Sequence, residues 1–191
     1  MNAMIDSGVM KHRLTVDDYY RMAEAGVLAP DARVELIEGE IVDMPPIGSW
    51  HAGTVSHLLK LLGAAIGDAA VLTVQSPVRL SNISEPQPDL MLLRPREDSY
   101  RKSHPTARDV LLLIEVSDST VRYDRDIKIP LYASYGVLES WMVDLDQQEL
   151  RCYRAPHSGR YLEVHATRSP GVIALPALDG GTVDLGRLFS P

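Results

Sequence analysis

LLLIEVSDSTVRYDRDIKIPLYASYGVLESW, residues 111–141, is the stretch that decides the fold. Its first four residues, Leu111 to Ile114, form an unbroken apolar run. Such a run, closed by a polar turn, reads as a strand buried on both faces of a sheet. Glu115 and Ser117 end it, and residues two apart on a strand share a face. A carboxylate beside a buried run is costly unless it is paired or holds a cation. After the turn comes an amphipathic segment in which Asp124 and Lys128 stand four apart, on one helix face. Pro130 falls inside this segment and is expected to kink it, and Gly136 to stop it. A strand offering a carboxylate, followed by a helix offering an ammonium, can serve one cleft.

Upstream, Pro88-Asp89-Leu90-Met91-Leu92-Leu93 repeats the theme. Asp89 opens a second apolar strand, and Pro88 biases Gln87 towards extended backbone. If the two strands are neighbours, Asp89 and Glu115 can converge on one divalent cation. Mg²⁺ suits a site of one or two carboxylates completed by water and phosphate oxygens. The plainer alternative is that Lys128 is only the ion-pair partner of Glu115. Asp118, Asp124 and Asp126 read as a charged turn and are not assigned as ligands, although Asp124 can hold Lys128.

The rest of the chain supplies the frame. Thr15 with Asp18 predicts a capped helix that stops near Gly26. Arg33 to Met44 alternates around Glu38-Gly39-Glu40 and predicts a hairpin. Ser49 is expected to cap a helix reaching Gly67, with Val55, Leu58, Leu59, Leu62 and Ile66 as its apolar stripe. Val71 to Leu80 reads as a strand pair or one bent strand. Leu138 to Val143, Glu149 to Arg154 and Tyr161 to Ala166 read as further strands, the last at an edge, with a loop over 155–160. The tail is rich in Pro and Gly and predicts a short helix over 185–189. Residues 1–13 read as a loose lead-in, and 14–191 as one domain.

With 191 residues the chain can bury a substantial core. A net charge of −7 argues against a protein that coats nucleic acid generally. It leaves room for local contact. Residues 94–108 hold Arg94, Arg96, Arg101, Lys102 and Arg108, the one basic cluster, lying between the two carboxylate strands. Its ends are therefore expected to return to the site, with Arg101 and Lys102 meeting phosphate. One cysteine, Cys152, excludes an internal disulfide framework and a thiolate metal cluster. No run is long enough for a membrane helix, and a cytoplasmic setting is the simplest expectation.

Four pieces together carry a family resemblance: RVELIEGEIVDM (33–44), EPQPDLMLL (85–93), LLLIEVSDSTVRYDRDIKIPLYASYGVLESWMVD (111–144) and ELRCYR (149–154). The order Pro-Asp, then Glu at a strand end, resembles the PD-(D/E)xK nuclease superfamily, and within it the bacterial Uma-type restriction endonucleases. One departure matters: Ser117 stands where the superfamily expects its lysine. The Uma-type family tends to supply that lysine from the next helix, which makes Lys128 its match. The resemblance implies an α/β, restriction-endonuclease-like fold, a mixed central sheet flanked by helices with an N-terminal helix and hairpin. It implies Mg²⁺- or Mn²⁺-dependent hydrolysis of phosphodiester bonds in nucleic acid, with DNA the expected substrate. Asp89 and Glu115 are then the metal ligands, Lys128 the catalytic ammonium, and Glu35 the upstream carboxylate that completes the site. His51, near a helix start, would orient the site or meet a phosphate. Cutting both strands of a duplex implies a homodimer. The alternatives are a nuclease-fold module that binds nucleic acid or protein without cutting, and a small-molecule hydrolase.

Overall fold

The computed structural model describes residues 10–176 and 178–190, so most of the expected lead-in, residues 1–9, lies outside the described residues. The chain packs as two compact units: residues up to Pro46 together with 77–87, and residues 47–76 together with 88–191.

The first unit holds α1 (Val16–Glu24) and a hairpin of β1 (Val34–Ile37) and β2 (Glu40–Asp43). Thr15 and Asp18 form the reciprocal capping box that their spacing predicts. The hairpin turns on Glu38 and Gly39, both at positive φ. A right-twisted two-residue turn demands that conformation at both positions. At Gly39 a β-carbon would also lie 2.5 Å from Cβ of Arg13, so only glycine fits.

The second unit is built on a six-stranded mixed sheet. Its strands are β3 (Val71–Val74), β4 (Leu90–Leu93), β5 (Val110–Ser117), β6 (Glu139–Asp144), β7 (Glu149–His157) and β8 (Arg160–Thr167), in that spatial order. β5 is central and every one of its residues is buried. The β5–β6 pair is parallel and the other pairs are antiparallel. A parallel neighbour needs a crossover, and residues 121–134 provide it as a helical segment.

Alternation along β5 sorts its side chains between two layers. Leu112, Ile114 and Val116 join a core with Val55, Leu58, Leu62 and Ile66 of α2 (Ser49–Ile66). Trp141, wholly buried, belongs to the same core, as do Leu175, Val183, Leu185 and Leu188 of the tail. Glu115 and Ser117 therefore point to the other face, where the crossover packs. Fully burying one such apolar side chain is worth about 1.5–3 kcal/mol. A strand buried along its whole length is thus a rigid base for the polar groups at its end.

Several expectations are corrected. Gly48, not Ser49, caps α2, and no side chain serves the cap. Of Val71 to Leu80 only 71–74 are strand. β7 and β8 run into the expected 155–160 loop and leave a two-residue turn of Ser158 and Gly159, both at positive φ. The tail forms no helix at 185–189. It forms a hairpin of β9 (Val172–Ala174) and β10 (Thr182–Asp184) that covers the α2 side of the core. Cys152 is buried there, and burial pushes its thiol up to about 12.

Candidate active site

The crossover is where the geometry departs most from a regular helix. It comprises α3 (Val121–Tyr123), a π-helical turn over Asp124–Lys128, and α4 (Ile129–Ser134). In the π turn the Ile129 N–H donates to the Asp124 carbonyl, five residues back. Pro130 lies in the first turn of α4, where its missing N–H costs little. The widened turn points both Asp124 and Lys128 inward, and both are buried. Such single π turns occur often at functional sites.

Lys128 reaches Glu115. Its ammonium lies 2.8 Å from Glu115 Oε1, and the two side chains are only 6% and 4% exposed. Tyr132, one turn on, donates its hydroxyl to the same oxygen. Asp124 accepts from the Thr120 hydroxyl. Its carboxyl is held above the usual range, chiefly by desolvation, and the negative charge of Asp89 pushes it further the same way. The Lys128 ammonium and the hydrogen bond from Thr120 pull against this shift.

Asp89 directly precedes β4. The ladder pairs Leu90 with Ile114, which brings Asp89 to the level of Glu115 on the adjacent strand. Asp89 Oδ2 accepts from the Val116 N–H at 2.9 Å and lies 3.1 Å from His51 Nε2. Gln75 donates to Oδ1 at 3.4 Å. Gln75 sits at φ +44°, a left-handed conformation unusual for a side-chain-bearing residue. Its backbone N–H also donates to the Asp89 carbonyl, so the bend after β3 clasps Asp89 from two sides.

The end of β5 thus gathers Asp89, Glu115, Asp124 and Lys128, with His51, Gln75 and Tyr132 around them. When all are ionised, three carboxylates face one ammonium, an excess of two negative charges. Hard oxygen donors with that excess suit a divalent cation of the Mg²⁺ type. Among the described residues no three His, Cys, Asp or Glu side chains form a ready metal cage.

Glu35 belongs to the first unit, where it is buried on β1 and accepts from the Gln87 N–H at 3.1 Å. Arg101 and Lys102 are exposed, but their loop does not return to the carboxylates. It joins the end of β4 to the start of β5, whereas Asp89 and Glu115 sit at the start of β4 and near the end of β5. The hairpin separates them by about five residues of strand, roughly 16 Å. Within the loop, Arg96 pairs with Asp98 and stacks over the Tyr100 ring.

Sequence reasoning missed Tyr132 and Gln75. Tyr132 follows Lys128 at a spacing of four, a signal visible in the sequence. The Gln75 bend carried none beyond Ser76-Pro77.

A mixed sheet with helices on both faces, and a carboxylate–lysine cluster at the end of its central strand, defines the class of a nuclease fold. A crystal structure of a putative nuclease belonging to DUF820 from Anabaena variabilis ATCC 29413 is similar, with a TM-score of 0.69 and 18% identity. The match covers 93% of this chain and 98% of that one. A family model, Uma2, described as "Putative restriction endonuclease", matches residues 16–185. The chain belongs to that family. No curated protein matches. No helix among the described residues is long and apolar enough to cross a membrane.

Proposed function

We propose that this protein is a metal-dependent endonuclease that hydrolyses phosphodiester bonds, with DNA as its substrate, and that it works as a cytoplasmic homodimer. The observation that carries the reading is the buried Glu115–Lys128 pair on the central strand, with Asp89 at the same level of the adjacent strand. Mg²⁺, or Mn²⁺ in its place, would be held by Asp89 and Glu115 and would supply polarisation of the phosphate and a more acidic bound water.

The chain's own groups do the rest. His51, Gln75 and the Val116 N–H fix the Asp89 carboxylate. Tyr132 fixes Glu115, so neither carboxylate must reorganise when substrate arrives. Lys128, held between Glu115 and Asp124, carries the positive charge that offsets charge developing on the phosphate oxygens. Asp124, pushed towards its protonated form, is placed to exchange a proton near that ammonium. Arg101 and Lys102 would touch phosphates away from the scissile bond. Glu35 is assigned by resemblance alone. Its test is Glu35→Gln: weaker metal binding would support a ligand, and a loss of thermal stability alone would mark a structural role.

Calorimetric titration of Mg²⁺ and Mn²⁺, beside nicking of supercoiled plasmid, tests the proposal. Metal binding and cleavage, both lost in Asp89→Ala and Glu115→Ala, are the expected result. A second reading, a nuclease-fold binding module, is favoured by one observation: Lys128 and Tyr132 already engage Glu115. Retained DNA binding with no metal uptake and no cleavage would establish it.

A further inference from the structure

Next to the face of α2 that carries His51 lies a cavity of about 410 Å³ that the proposed chemistry does not use. Ser49, Trp50, Gly53, Thr54 and His57 of α2 line it, together with Arg187 of the tail. Residues 50, 53, 54 and 57 share one side of the helix. The volume falls in the range of small-molecule sites.

Four features give it a chemical character. Trp50 is 48% exposed, unusual for so large an apolar side chain. Arg187 is exposed and makes no ion pair among the described residues. Gly53 leaves the cavity open, since a β-carbon built there would meet nothing within 4 Å. The helix also starts here with no side-chain cap and no acidic residue in its first turn. Its free N–H groups and dipole therefore favour an anion.

A flat aromatic face and a guanidinium in one cavity, beside an uncapped helix start, fit a planar heterocycle carrying a phosphate. We propose that the cavity binds one nucleotide unit, with the base stacked on Trp50 and the phosphate met by Arg187 and the first turn of α2. The choice of a nucleotide among planar anions rests on the nuclease reading. Stacking on an aromatic side chain is tolerant of base identity, so the site would hold the strand without reading its sequence.

Trp50 and the wholly buried Trp141 are the only tryptophans, so quenching of fluorescence reports on Trp50. The titrants are deoxyadenosine monophosphate and a thymidine hexanucleotide, in buffer with EDTA so that no cleavage occurs. Both are expected to quench the wild-type protein. Gly53→Leu fills the cavity while favouring the helix, and should weaken binding about tenfold or more. Trp50→Ala, followed by anisotropy of labelled hexanucleotide, should weaken it by a similar factor. Much tighter binding of the hexanucleotide would identify a strand as the occupant, and equal affinity a free nucleotide; either supports the site. No quenching by either titrant at millimolar concentration, or wild-type binding by Gly53→Leu, overturns it. Absent binding with intact plasmid nicking would sink the cavity alone. Intact binding with absent nicking would sink the nuclease reading alone.

Discussion

Lys128 and Glu115 form the pair on which most turns at the scale of single residues. Both are buried, so removing one partner strands a charge in a poorly solvated place, at a cost of about 3–5 kcal/mol. Lys128→Ala should therefore lower the melting temperature as well as slow cleavage by roughly 10²–10³. Because an ammonium is not a metal ligand, the variant should still bind Mn²⁺ in the calorimeter. Loss of metal binding with Lys128→Ala would contradict a purely electrostatic role for the ammonium. Asp124 should behave in the opposite way. Its carboxyl pKa is raised in the fold, so the folded state holds a proton that the unfolded chain releases. The penalty for its charge is absent below the ordinary value of 3.8 and grows as pH rises towards the folded pKa. It is fully present above that value. Asp124→Asn should remove it, raising stability at neutral pH while leaving acid stability unchanged, and should reduce cleavage. Melting curves between pH 3 and 8 check the sign. Of these residues Asp89, Glu115 and Lys128 were legible because each stands beside an apolar run or at a helical spacing. The environment of Asp124 was not, since burial of a turn residue depends on packing that no local pattern encodes.

At the scale of elements, the crossover is the informative one. A π turn amounts to one residue inserted into an α-helix, and Ile127 is an exposed residue within it. Deleting Ile127 removes no core contact and allows a continuous helix, but rotates the residues on either side relative to one another by about 100°. Near-wild-type helicity by circular dichroism with cleavage lost is the expected outcome. Retained cleavage would show that the turn is incidental. The sequence pointed to a helix here and to disruption at Pro130, yet not to a π turn, because the spacing of Asp124 and Lys128 satisfies an ordinary helix equally well. The β9–β10 hairpin escaped notice for a related reason. Its strands are three residues each, too short for alternation to stand out from a Pro- and Gly-rich tail. β5 was legible because a continuous apolar run with a polar end has few other homes. The site of the basic loop was misjudged through connectivity: a loop between two antiparallel strands lies at one end, and the carboxylates lie at the other.

At the scale of the whole molecule, the sheet leaves β8 as an edge unpaired among the described residues, with Leu162 and Val164 exposed at 58% and 56%. An eight-residue edge with exposed apolar side chains invites pairing with another strand. Light scattering at micromolar concentration should give twice the 21.1 kDa chain mass, and Leu162→Lys should return it to one. A wild-type monomer would remove the dimer from the proposal. The sole cysteine, buried in the core, has a practical meaning for such experiments. With its thiol pushed up to about 12, only about one molecule in 10⁵ carries a thiolate at pH 7, against a few per cent for an ordinary exposed cysteine. A cysteine introduced on β8 would thus react with a maleimide dye at least about 10³ times faster. The native chain should therefore take up thiol labels very slowly, so that subunit exchange or DNA docking can be followed by energy transfer without first replacing Cys152.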